Sequence, residues 1–204
     1  MLTKQEIAKQ ERLIRIFRQT NALLRGHFEL ASGLHSGHYF QCALFLQHPR
    51  LASQVCRKLA LRFRAARPQT VIGLAVGGII VSFEVARHLG VRSLYTERVD
   101  GRMLLRRGFG IAPKERVLIV EDVITTGESA REVVELVRKA GGRVIGVGAV
   151  VDRSGGRAQR LFGRIPCRNL VTLKIENFKP VSCPLCKEGW PMTKPGSKGL
   201  NLML

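Results

Sequence analysis

The stretch Val117-Leu118-Ile119-Val120-Glu121-Asp122-Val123-Ile124-Thr125-Thr126-Gly127-Glu128-Ser129 limits what this chain can fold into more than any other. Its leading apolar residues, Val117 to Val120, have the pattern of a strand buried on both faces, as in a parallel sheet. Two carboxylates follow, then a short turn carrying hydroxyls and a glycine. Ala130, Val133, Val134 and Val137 share one face at helical spacing, and Gly141-Gly142 ends that helix. The apolar run Val144 to Val151 predicts the next strand. A strand–loop–helix–strand unit of this kind belongs to an α/β fold.

The chemistry follows from the order of these residues. A loop at a helix N-terminus offers free backbone N–H groups, hydroxyls and the positive end of the helix dipole, all of which favour an anion. Glu121 and Asp122 cannot bind phosphate; they suit sugar hydroxyls or a hydrated divalent cation. A phosphorylated ribose with a bound metal satisfies all of these groups together. The plainer alternative is an ordinary capped turn. It is not a Walker loop, because no Gly-Lys-Ser/Thr follows.

The rest of the chain reads as a frame around this unit. A helix is expected over residues 3–25, ended by Gly26, and another from Pro49 to about Ala66. Val71 to Ile79 reads as a buried strand running into the turn Gly77-Gly78, with a helix from about Ile80 to Leu89. Val91 to Thr96 reads as a strand. Residues 97–112, crowded with Arg98, Arg102, Arg106 and Arg107, read as a long basic loop of functional kind. Leu170 to Ile175 reads as the last strand. A chain of 204 residues can bury its core as a single domain, 1–204.

The formal net charge of +19 suits either nucleic acid or strongly anionic small substrates. The basic residues are scattered over the polar sides of amphipathic patterns, which favours a general surface bias over a nucleic-acid arm. No apolar run reaches transmembrane length and the polar start is not a signal peptide, so a cytoplasmic protein is expected. Five cysteines without a regular framework fit a reducing compartment. Cys183-Pro184-Leu185-Cys186 offers two ligands where a structural zinc site takes four. His27, His35 or Cys42 could in principle fold near, but no metal is assigned to the tail.

The run from Glu121 to Ser129 resembles the phosphoribosyl-pyrophosphate (PRPP) loop of the type I phosphoribosyltransferases. Phe28, Leu30, Ser32, Gly33, Ser36, Tyr39 and Phe40 resemble the N-terminal hood segment of the orotate phosphoribosyltransferases, and the tail around Cys183 and Cys186 is similar to that of several bacterial members. The resemblance implies a central, mostly parallel sheet flanked by helices, a small hood from about 1–45 and a CxxC tail over about 180–204. It implies transfer of the phosphoribosyl group of PRPP to orotate, giving orotidine 5′-phosphate and pyrophosphate, with Mg²⁺ carried mainly by PRPP.

Roles follow the same way. Glu121, Asp122, Val123, Ile124, Thr125, Thr126, Gly127, Glu128 and Ser129 would bind the ribose phosphate of PRPP. Ala75, Val76, Gly77 and Gly78 would hold its pyrophosphate, through a cis peptide at Ala75-Val76. Arg98, Arg102 and Asp122 would be catalytic, and Thr125, Arg153, Tyr39 and Phe40 would meet orotate. The arginine loop would reach a neighbour's site in a homodimer. The chain departs from the family at Ala31, where many members carry Lys, at Gly77, where some relatives do, and at Val99 and Leu104, where a second cation and a His are common. Transfer to another base, or a non-catalytic PRPP-binding regulator of nucleic acid, are the rival readings.

Overall fold

A computed structural model describes residues 4–30 and 32–195 of the chain. The first helix, α1, spans Lys4–Gln19 and ends six residues before the sequence pattern suggested. Thr20 folds back on the carbonyl of Ile16, and Asn21 takes a left-handed φ of 55°, a natural exit for a side chain that tolerates that conformation. Gly26 is therefore not a helix stop. It lies inside strand β1, Leu23–Glu29, which pairs antiparallel with β2, His35–Phe40.

Two helices follow, α2 at Ala43–Leu46 and α3 at Pro49–Phe63, the latter prolonged by a 3-10 turn over Arg64–Ala66. Proline at the start of α3 costs nothing, because the first N–H groups of a helix have no partner within it. Then come β3 (Thr70–Leu74), α4 (Gly77–Leu89), β4 (Arg92–Val99), β5 (Arg102–Leu105), β6 (Arg116–Ile124), α5 (Glu128–Lys139) and β7 (Arg143–Asp152). The chain continues through α6 (Ala158–Leu161), β8 (Cys167–Thr172), β9 (Asn177–Phe178), α7 (Pro184–Lys187) and β10 (Met192–Thr193). The last long strand thus starts and ends three residues earlier than its apolar pattern indicated.

The main sheet has the order β5-β4-β3-β6-β7-β8, parallel throughout except for β5. Alternate residues of β6 enter opposite cores. Leu118 and Val120 pack with α3 and α4 through Val55, Leu59, Val81 and Val85, while Val117 and Ile119 join Val133, Val134 and Val137 of α5. This is why the strand reads as an unbroken apolar run. Residues 97–112 are more ordered than a loop. β4 runs to Val99, turns at Asp100 and Gly101, and returns as β5. Both turn residues have positive φ, 48° and 77°, the geometry that makes Asp-Gly a tight hairpin signal.

A second, four-stranded sheet of order β10-β1-β2-β9 forms the hood. It combines the N-terminal hairpin with two short pieces of the tail: His27 pairs with Met192, and His35 with Phe178. The tail cysteines therefore do not stand alone, because His27 and His35 lie beside them. The departure at Ala31, and the tail beyond Pro195, fall outside the described residues. No described helix is long and apolar enough to cross a membrane.

Phe17 ties α1 to this frame. It is fully buried, with Phe40 edge-on at 5.0 Å and Phe45 at 5.2 Å between ring centroids. Phe17→Ala is expected to destabilise the chain by about 3–5 kcal/mol, read as a lower urea midpoint at unchanged slope. A loss below about 1 kcal/mol would show that α1 is not part of the cooperative core.

Candidate functional site

Because β3, β6 and β7 are parallel, their C-terminal ends bring three loops to one edge: Ala75 to Gly78, Glu121 to Ser129, and Asp152 to Arg153. Open parallel sheets place ligands at this edge.

The acid pair lies at the end of β6 in poor solvent. Burial, reinforced by the charge of Asp122, pushes the Glu121 carboxyl up to about 8, and Arg98 offsets only part of that. Glu121 Oε2 is buried and has no hydrogen-bond partner. Such an atom lacks a donor that a ligand hydroxyl or a hydrated cation would supply. Asp122 is also raised by burial, but backbone N–H groups and the thiol of Cys42 donate to it and oppose the shift. Gly77 lies flush against Asp122: a Cβ built there would overlap the carboxylate. The expected cis peptide, Ala75-Val76, is present.

The loop after the acids is open to an anion. Gly127, at φ 91°, precedes α5 and provides no side-chain cap, which leaves the twelve-residue helix only a long contact from Thr126 at its start. Thr125 and Thr126 are exposed there, and the Thr126 hydroxyl accepts from the N–H of Glu128 at 3.4 Å. Any side chain at 127 would be strained by that φ and would press on Leu161 and Ala158.

Arg98 reaches this loop. It donates to Ser129 Oγ at 3.1 Å and to both oxygens of Glu132, at 3.0 and 3.3 Å. Its hydrogen bond is the largest cause holding the Glu132 carboxyl below its ordinary range. Arg102 is exposed at the start of β5, and Arg106 and Arg107 are committed to Glu97 at 3.6 and 2.8 Å.

Arg153 stands opposite, with its Nε buried and unpartnered. Burial lowers its pKa and the Tyr39 phenol beside it works the other way. Asp152 does not pair with it: that carboxylate accepts from the N–H groups of Ser154 at 2.6 Å and Gly156 at 3.0 Å, fixing the turn. Of the aromatic pair in β2, Tyr39 lies near Arg153 and stacks on Phe28, whereas Phe40 is turned into the core against Phe17. Sequence reasoning missed two supports. Cys42 stands behind Asp122, where nothing in its neighbourhood marks it. Glu132 holds Arg98, and lies one turn from Ser129 on the polar face of α5.

Comparison with known proteins gives the family. Residues 44–184 match the model of the phosphoribosyl transferase domain. Orotate phosphoribosyltransferase of Desulforamulus reducens is 54% identical over 192 residues, 94% of this chain and 99% of that protein. The enzyme of the same name from Pelotomaculum thermopropionicum is 54% identical over 189 residues, 93% of this chain and 98% of the relative. Among solved structures, orotate phosphoribosyltransferase from Aeropyrum pernix superposes with a TM-score of 0.65 at 30% identity, covering 79% of this chain and 94% of that one.

The raised carboxyl of Glu121 gives a pH signature. The fold binds this proton more tightly than the unfolded chain does, so stability from it is fully present below the ordinary 4.5 and lost as pH rises through about 8. Glu121→Gln removes that loss. The ligand-free variant is expected to exceed the wild type in Tm above about pH 8, with the gap closing toward pH 4.5. A gap that does not change with pH would count against a desolvated carboxyl.

Proposed function

The chain belongs to the phosphoribosyl transferase family as an orotate phosphoribosyltransferase, and from that premise we propose how its own residues divide the reaction. It transfers the phosphoribosyl group of PRPP to orotate, yielding orotidine 5′-phosphate and pyrophosphate, a step of pyrimidine synthesis.

Glu121 and Asp122 accept hydrogen bonds from the ribose hydroxyls. Thr125 to Ser129 and the first N–H groups of α5 hold the 5′-phosphate. The Ala75–Gly78 turn, Arg98 and Arg102 meet the pyrophosphate as negative charge gathers on it. Cations fixed in advance in a site with little water lower the barrier more than mobile ions would. Arg153 grips the orotate carboxylate, which its planar fork can bind through two parallel bonds, and Tyr39 covers the base. Thr125 and the hood then aim the base nitrogen at the anomeric carbon. No covalent nucleophile is required.

Mg²⁺ fits the donor set. The buried, unpartnered Oε2 of Glu121, with the Asp122 carboxylate next to it, suits a hydrated divalent ion, which when bound with PRPP supplies further positive charge at the leaving group. Exposure of Arg102 beside the turn of the β4–β5 hairpin supports its reading as a cation that serves a second copy's site in a homodimer. The observation that carries the reading is the orphaned, buried Glu121 Oε2 beside the start of α5. Orotate as the base rests on the matching orphan at Arg153 Nε.

Two substitutions separate these claims. Asp122→Asn is expected to lower kcat/KM by about 10²-fold or more with any base, since it weakens charge-matched contacts to the sugar. Arg153→Ala is expected to lower kcat/KM for orotate by about 10²-fold through loss of the carboxylate pair, leaving any trace reaction with uracil unchanged. Pyrophosphate release with PRPP and a panel of orotate, uracil, adenine and guanine checks both. Equal losses across the panel for Arg153→Ala would remove its role in base choice.

A further inference from the structure

Away from the sugar-phosphate site, four donor atoms converge under the hood. His27 Nε2, His35 Nδ1, Cys183 Sγ and Cys186 Sγ all lie within 4.8 Å of one another. Three of the residues are buried, with His27 3%, His35 6% and Cys183 1% exposed. They come from three segments of the fold. A bulge between Arg25 and Phe28 shifts the register of β1 against β2, and it places His27 on the same face as His35. The short turn of α7 brings Cys183 and Cys186 to that face from the tail. We propose that these four side chains bind one Zn²⁺, which staples the C-terminal tail to the hood.

Three of the distances match a common central ion, and the fourth needs the two imidazoles to part by about 0.4 Å. Zn–S bonds of about 2.3 Å and Zn–N bonds of about 2.0–2.1 Å give tetrahedral edges of roughly 3.3–3.8 Å. The two imidazoles approach at 2.9 Å, Cys186 stands 3.3 Å from His35, and both sulfurs stand 3.7 Å from His27. Hydrogen bonding alone does not account for the cluster. His27 Nδ1 faces the carbonyl of Trp190 at 3.0 Å and donates to it, which leaves Nε2 with one lone pair and three polar neighbours. One lone pair can accept one of those hydrogens. A cation instead receives all four lone pairs at once. The Trp190 carbonyl then acts as the outer partner that fixes the tautomer of a metal-bound histidine.

Two sulfurs and two imidazoles select zinc over magnesium or calcium, and four protein ligands leave no open position for chemistry. The role is structural. The tail has little else to order it: β9 and β10 are two residues each, Val181 is 89% exposed, and Trp190 and Met192 are 40% and 51% exposed. A surface ion pair, Lys194 to Glu29 at 2.6 Å, is worth little by itself.

Metal analysis of tag-free, full-length protein tests the proposal. About one zinc per chain is expected, with replacement by Co²⁺ giving the visible bands of a tetrahedral ion and the near-ultraviolet band of thiolate ligation. The double variant Cys183→Ser/Cys186→Ser is expected to hold less than about a tenth of an equivalent, while Cys167→Ser keeps the full amount. A strong chelator should lower the Tm of the wild type and speed proteolysis of its tail, with no effect on the double variant. Folded wild-type protein that neither retains zinc nor takes up cobalt overturns the proposal. So does full metal content in the double variant, or a Cys183–Cys186 disulfide in protein prepared under reducing conditions. Should the double variant fail to fold, the cobalt spectrum of the wild type still reports the ligands.

Discussion

The architecture rests on one costly act, holding two adjacent carboxylates at the end of a buried strand with too little water around them. Glu121 and Asp122 are dragged there because β6 is packed on both faces and cannot shift its register without turning its core residues outward. The protein compensates Asp122 with Cys42 and backbone N–H groups and leaves Glu121 short of a donor. That imbalance stores affinity for a ligand that brings its own hydroxyls. The start of α5, a few residues on, carries the positive end of a helix dipole with no cap from Gly127, which favours an anion.

Much of this was written plainly in the chain. Sharing one strand, the acids, the hydroxyl turn and α5 are linked by local order, and local order is what a sequence shows best. The strands β3, β6 and β7, and the glycine turn before α4, are legible for the same reason: apolar runs broken by glycine have few other meanings. The rest depended on distant partners. Phe40 could not be told from Tyr39 by pattern, since which of two neighbours enters the core is decided by Phe17, far back in α1. Cys42 carries no mark of its position behind Asp122. The Asp100-Gly101 turn was missed, because the arginines and glycines around it read as one long basic loop. The end of α1 was misplaced because Asn21, not Gly26, supplies the left-handed residue.

The charge of +19 looks different once the arginines have partners. Arg92 is spent on Glu115, Arg106 and Arg107 on Glu97, and Arg98 on Glu132. Arg98 is held by the Glu132 carboxylate, and Arg153 is kept buried with a donor to spare. Positioned cations of this kind serve a polyanionic substrate better than a diffuse basic surface does.

The hood is woven from both ends of the chain, with His27 beside Met192 and His35 beside Phe178. During synthesis, β1 and β2 leave the ribosome long before their outer neighbours exist. The main sheet, whose parallel strands are contiguous in sequence from β3 to β8, has every segment it needs while β10 is still being made. Pairings of such long sequence separation are slow to close. The hood is thus the last part of the molecule to be finished, and a nascent chain stalled short of its tail would carry the main sheet and its loops without a completed second sheet.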